Sequence, residues 1–158
     1  YYAVSMLGNL LSNGKSSRLY KSVVDEKQKA LFAGTFPLPT EDPGLALAFA
    51  IANMGVNAAD LEKAIDEVIE AVQKDLISEE EFQKLRNQME SEFINSYSSM
   101  EGIAENLANY HVYFKDANLI NTELDRYMKV TREDIRRVAK EYFRKDNRVV
   151  LYYLPKQQ

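Results

Sequence analysis

Apolar residues recur at changing intervals along the chain, and each interval predicts an element. Val4, Leu7 and Leu11 fall at helical spacing within residues 2–12. Asn13-Gly14 predicts the stop, because glycine accepts the left-handed backbone that closes a last helical turn. Ser16 or Ser17 is then placed to cap a second helix, with Leu19 and Val23 on its inner face and its end near Gln28. From Ala30 to Leu38 the period drops to two, with Leu31, Ala33 and Thr35 on one side and Phe32, Gly34 and Phe36 on the other. Pro37, Pro39, Pro43 and Gly44 mark a turn. Leu45, Leu47, Phe49 and Ile51 then alternate with Ala46, Ala48, Ala50 and Ala52. Leucine and alanine favour helix by propensity. The strict alternation nevertheless selects a strand, with one bulky face and one alanine face that a helix can approach closely.

Helical periods return after Asn57, the expected cap of a helix with the stripe Leu61, Ile65, Val68, Ile69, Val72 and Leu76. Ser78 and Glu81 stand at capping-box spacing before a helix that turns Phe82, Leu85, Met89 and Phe93 inward. Ser98-Ser99 and Gly102 predict a break, followed by a helix through Ile103, Leu107 and Tyr110. Thr131 caps another, with Ile135, Val138, Ala139 and Tyr142 buried. Asp146-Asn147 predicts a turn into a last strand from Arg148 to Leu154, ended by Pro155. The fold class is α+β, an antiparallel β-sheet with helices packed on one face. Three strands are few for so many helices, so a first strand supplied from before Tyr1 is expected to complete the sheet. Residues 1–158 contain no repeat, low-complexity tract or linker and read as a single domain. Tyr1-Tyr2-Ala3-Val4 is neither an initiator nor a signal peptide, so the domain is expected to be a fragment of a longer chain.

Composition narrows the chemistry. No apolar run reaches the length of a membrane span. The chain has no cysteine, which removes disulfides, thiol nucleophiles and thiolate metal ligands together. A net charge of −4 disfavours nucleic acid as a partner. The charge is unevenly spread: residues 60–92 carry eleven acidic and four basic side chains, and residues 126–148 nine basic and four acidic.

No motif in the sequence assembles a catalytic centre. His111 is the single histidine, whereas catalytic zinc takes three protein ligands and a Ser/His/Asp triad would need that same imidazole. Its aromatic neighbourhood, Tyr110 to Tyr113, predicts a packing or hydrogen-bonding role, and most of the ten tyrosines are expected at core or strand positions. Glu67, Glu70 and Asp75 fall on the polar faces of amphipathic helices, without the isolated apolar setting that tunes a carboxyl for acid/base work. Gly14-Lys15-Ser16-Ser17 resembles the end of a P-loop, but Gly8 stands off the required spacing and a helix precedes it where a strand is needed. Arg132, Arg136, Lys140 and Arg144 form a basic stripe on the last helix, with Glu133 and Glu141 at salt-bridge spacing around Arg137. No aromatics interleave with the stripe, so it reads as a solvated or protein-docking face.

Leu11-Ser12-Asn13-Gly14-Lys15-Ser16-Ser17-Arg18-Leu19-Tyr20, then Ile77-Ser78-Glu79-Glu80-Glu81, then Lys129-Val130-Thr131-Arg132-Glu133-Asp134-Ile135 and the final strand follow one family pattern in order. Over essentially its whole length the chain resembles the C-terminal, non-catalytic domain of the pitrilysin/insulinase family of zinc metallopeptidases, which includes the mitochondrial processing peptidases. The catalytic domains of that family carry an inverted His-x-x-Glu-His zinc motif, which this sequence lacks. The resemblance therefore implies no catalytic, cofactor-binding or metal residue in this chain, with zinc held by the parent protein's catalytic domain. It implies two partners: a zinc-bearing catalytic domain of the same or another chain, and a peptide substrate enclosed between paired domains. Some companion domains of the family reach the substrate with an Arg and a Tyr seven residues apart, and here those positions hold Val24 and Leu31.

Two other functions fit the same residues. One is an inactive scaffold subunit of this fold, which an upstream zinc motif would distinguish from a peptidase. The other is a free-standing interaction module docking through the Arg132–Arg144 face. The sequence singles out neither the bacterial periplasm nor the cytoplasm.

Overall fold

The computed structural model describes residues 1–38, 40 and 44–154. Its elements are α1 (Tyr2–Ser12), a π-helical segment (Tyr20–Glu26), β1 (Ala30–Leu38), β2 (Leu45–Ala52), α2 (Ala58–Lys74), α3 (Glu79–Ser96), α4 (Met100–Asn109), a second π-helical segment (Tyr110–Phe114), α5 (Leu119–Met128), α6 (Arg132–Tyr142) and a short 3-10 turn (Lys145–Asn147). The α+β class expected from the sequence is the one observed, with β1 and β2 paired antiparallel and helices against one sheet face.

Helix α1 is buried on more sides than its three-residue stripe suggests. Ala3, Met6, Leu7, Gly8, Leu10 and Leu11 are all buried, and the helix packs against β1, α3, α5 and α6. Small residues let it lie close to the sheet: a Cβ on Gly8 would sit 3.3 Å from the Pro37 ring. Asn13 caps the helix, donating its N–H to the Asn9 carbonyl, and Gly14 follows at φ +75°, where only glycine sits without strain.

The next helix forms without the serine cap that its sequence suggests. Ser17 is buried with its hydroxyl unpartnered, and Ser16 accepts a hydrogen bond from Lys84 instead. Leu19 and Val23 nonetheless face the core, and the π turn ends by Gln28, whose φ is +49°. Pro37 belongs to β1, not to a turn, paired with Ala46. Pro39, Pro43 and Pro155 lie outside the described residues.

Register pairs Phe32 with Ile51, Gly34 with Phe49, Phe36 with Leu47 and Leu38 with Leu45, so the bulky side chains of both strands share one face. Ala33 and Thr35, opposite Ala50 and Ala48, face the helices. A bulge between Ala30 and Phe32 shifts Leu31 out of the alternation, and it is exposed.

Helix boundaries follow local chemistry. The Asn57 side chain accepts from the Ala59 N–H, and Ser99 from the Gly102 N–H. Thr131 and Asp134 complete a reciprocal capping box. At α3 only half a box forms: Ser78 caps the Glu81 N–H, while the Glu81 carboxylate turns to Arg18. A Cβ on Gly102 would run into the Ser96 carbonyl, so the break before α4 needs glycine there. Of the α2 stripe, Leu76 lies past the helix end and is exposed, and Ile77 takes the core position with 2% exposure.

Residues 148–154 do not form the expected third strand. The segment pairs with no strand among the described residues, because a strand exists only where a neighbouring backbone answers its N–H and C=O groups. Helix α5 has no counterpart in the sequence reading. It buries Leu119 and Tyr127, and the Asp116 carboxylate receives the Asn118 N–H just before it.

Replacing Leu7 by Ala is expected to cost about 2–5 kcal/mol of stability, read by urea unfolding, because it opens a cavity where α1 meets its neighbours. Glu81 offers a pH test. Two hydrogen bonds from Arg18, at 2.9 and 2.6 Å, hold its carboxyl below the ordinary 4.5 against the opposing effect of partial burial. A carboxyl lowered on folding adds stability above its unfolded value and loses it as the pH falls through the folded one. Glu81→Gln is therefore expected to destabilise by about 1 kcal/mol near neutral pH. The gap to the unmodified chain should close in acid.

Candidate interaction surface

A contiguous apolar feature outside the core is the bulky sheet face. Phe32, Phe36, Leu38, Leu45, Leu47, Phe49 and Ile51 are all exposed there. Phe49 anchors it, stacked on Phe32 at 5.2 Å between centroids and edge-on to Phe36 at 5.8 Å. A contiguous apolar face of this kind marks a contact surface, since isolated soluble domains rarely leave one bare.

Residues 148–154 lie extended beside α2 with alternating exposure. Val149 and Tyr153 are 97% exposed, whereas Arg148, Val150 and Tyr152 are turned inward by comparison. The Arg148 guanidinium bonds Glu62 and both oxygens of Asp66, and the Tyr152 hydroxyl bonds Glu62. These acceptors push the Arg148 and Tyr152 pKa values up, Asp66 acting chiefly on the first and Glu62 on the second. The α2 carboxylates thus fasten the C-terminal segment to the helix.

Other carboxylates are similarly engaged. Glu67 pairs with Lys27, whose hydrogen bond lowers its pKa, and Glu70 pairs with Lys145 at 2.8 Å. Asp75 is exposed just past the end of α2. Among the described residues, no group of three His, Cys, Asp or Glu side chains could hold a metal ion. With no thiol, a lone imidazole and no such cluster of carboxylates, the described donor set does not fit zinc.

His111 is exposed on the second π-helical segment, so the packing role expected of it falls to the buried Tyr110 beside it. The Tyr110 hydroxyl meets the Tyr97 hydroxyl at 3.0 Å and donates to the Glu123 carboxylate. Burial, reinforced by that carboxylate, raises the Tyr110 pKa. Tyr2 packs edge-on to Tyr127 at 4.8 Å, and burial raises the Tyr127 pKa. Of the tyrosines, Tyr110 and Tyr127 are in the core. Tyr142, expected there too, is exposed because it closes α6 one turn beyond the packed stretch.

The basic stripe is partly neutralised. Arg132 binds Glu79 at 3.4 Å and the Ile77 carbonyl, and Arg144 binds Asp146 at 3.5 Å. Arg137 is held by Asp134 and Glu141, with Asp134 in the place expected of Glu133. Val24 packs against the core and Leu31 is exposed, so these two positions do not converge on a polar site. The alternation of β2 had separated bulky from alanine residues correctly. The alanine side expected to receive a helix is covered only at Ala50, which is half-buried; Ala46, Ala48 and Ala52 are exposed, because the helices pack chiefly on β1 and periodicity does not say which face meets them.

Comparison with known proteins agrees with this architecture. The zinc protease PqqE of Helicobacter pylori is 29% identical over 153 residues, 97% of this chain and 34% of that protein. A protease structure from Helicobacter pylori superposes with a TM-score of 0.85 at 29% identity, over 92% of this chain and 35% of that one. The chain thus spans about a third of the length of these relatives. The inactive peptidase domain of a proposed zinc protease from Bordetella parapertussis shares the fold, with a TM-score of 0.86 at 22% identity over 99% of this chain and 85% of that one. No helix among the described residues is long and apolar enough to cross a membrane. The family profile described as the peptidase M16 inactive domain matches residues 1–89, and the chain belongs to that family of pitrilysin-type domains.

Proposed function

We propose that the chain, as a single domain over residues 1–158, is the non-catalytic companion of a zinc metalloendopeptidase. In this reading it walls the peptide-binding chamber and supports a separate zinc-bearing domain in proteolysis. The observation that carries the reading is the exposed Phe32–Phe36–Phe49 sheet face, on the side of the sheet away from the buried Ala33 and Thr35. Burying such side chains contributes roughly 1.5–3 kcal/mol each, so this is the side on which a neighbouring domain or an extended peptide gains most. The absence of a fitting donor set among the described residues agrees with zinc being supplied by the partner. The similarity to the PqqE zinc protease supports the same assignment.

Two measurements test it. The purified chain is expected to retain no stoichiometric zinc after dialysis and to hydrolyse no peptide; either activity would end the proposal. Phe49→Asp is expected to keep the circular dichroism of the unmodified chain while abolishing co-purification with the zinc-bearing domain of the same peptidase. Unchanged co-purification would remove the sheet face from the contact.

A further inference from the structure

We infer that residues 100–114, helix α4 and the π-helical segment that continues it, form a hinged strap. Tyr110 clasps the strap to the body of the domain. Release of that clasp lets the strap swing out while the rest of the chain stays folded. The inference does not depend on the companion-domain reading.

Burial sets this stretch apart. Helix α4 contributes no buried residue, whereas each of the other α-helices buries at least two. Tyr110, 7% exposed, is the one buried side chain between Met100 and Phe114. Ile103 and Asn106 are half-buried, and Met100, Tyr113 and Phe114 are exposed. Helix α4 packs chiefly on the π-helical segment that follows it, not on the core helices. The apolar surface a segment buries sets how readily it opens by itself. A segment holding one buried ring therefore separates before the core does.

Hydrogen bonds draw the same division. The Gly102 N–H to the Ser99 hydroxyl, the Asn106 amide to the Gly102 carbonyl and the Asp116 N–H to the Tyr110 carbonyl all stay local. Among the described residues, the Tyr110 hydroxyl alone bonds from the strap to other helices. It meets the Tyr97 hydroxyl, just past α3, at 3.0 Å and donates to the Glu123 carboxylate of α5. Its single proton goes to Glu123, so Tyr97 is the donor of the other bond. One hydroxyl thus ties the strap to both α3 and α5.

Both ends are built to turn. The chain leaves α3 at Ser96, and Ser98-Ser99 carries it into α4. At the far end Lys115 closes the π-helical segment at φ +57°, a left-handed backbone that costs a residue with a side chain. Opening relieves that cost and offsets part of the clasp. It also uncovers the Tyr97 ring and the Glu123 carboxylate, both half-buried in the closed form.

Hydrogen–deuterium exchange on the chain tests this. In the unmodified chain the amides of 103–114 are expected to exchange together, about a hundredfold or more faster than those of α1 and α6. Tyr110→Phe keeps the ring and removes the hydroxyl. It is expected to speed the strap amides roughly tenfold and leave α1 and α6 unchanged. Glu123→Ala, which removes the acceptor from the other side, should give the same pattern. Strap amides as slow as those of α1 in the unmodified chain overturn the inference, whether or not either variant folds. Equal acceleration of every helix by Tyr110→Phe also overturns it, since the hydroxyl would then hold the whole core. Unchanged strap amides in both variants remove the clasp and overturn it as well.

Discussion

The burial of α1 is the constraint on which the rest of the structure depends. The helix is covered by the sheet on one side and by α3, α5 and α6 around the others, so four elements far apart in sequence share one apolar surface. Close approach to the sheet requires small groups where they meet. Gly8 provides this against the Pro37 ring, and Ala33 and Ala50 provide it on the strands. The Ser12 hydroxyl, also bonded to the Gly8 carbonyl, reaches across to the Thr35 carbonyl and fixes the last turn of α1 against β1. A larger side chain at any of these positions would separate helix from sheet and loosen every contact that depends on their spacing.

That constraint also explains the two-sided character of the strand pair. Where the sheet packs this closely on α1 it takes alanine and threonine, at Ala33 and Thr35, so the bulky residues of the same strands are left on the other side. The result is a domain with a finished core beneath the sheet and an unfinished apolar layer above it.

Much of this was legible in the sequence, and the exceptions share a cause. Signals that act within a few residues were read correctly: the Asn13-Gly14 stop, the caps at Asn57, Ser78 and Thr131, the break at Ser98-Ser99, and the alternation of β2. Outcomes set by distant partners were not. Glu81 abandons its capping box because Arg18, 63 positions away in sequence, offers two hydrogen bonds. Helix α5 went unread because it buries only Leu119 and Tyr127, too sparse a stripe to register as periodic. The serines before the first π-helical segment looked like caps, but Ser17 is drawn into the core where its hydroxyl finds no donor or acceptor. For the candidate surface, residue identity was readable and exposure was not, since exposure depends on which neighbours are present.

Several carboxylates of α2 are committed to cations of neighbouring elements. A metal ligand or a general base must keep its oxygens available, and an acid/base group needs a setting that moves its pKa toward the working range. Here Glu62 and Asp66 are committed to Arg148, Glu67 to Lys27 and Glu70 to Lys145. Such pairs occupy the carboxylate oxygens, and the Lys27 hydrogen bond also lowers the Glu67 pKa. Their effect is mechanical: they attach the 148–154 segment and the first π-helical segment to the helix lying beneath β2. The acidic surface of α2 holds the extended 148–154 segment in place.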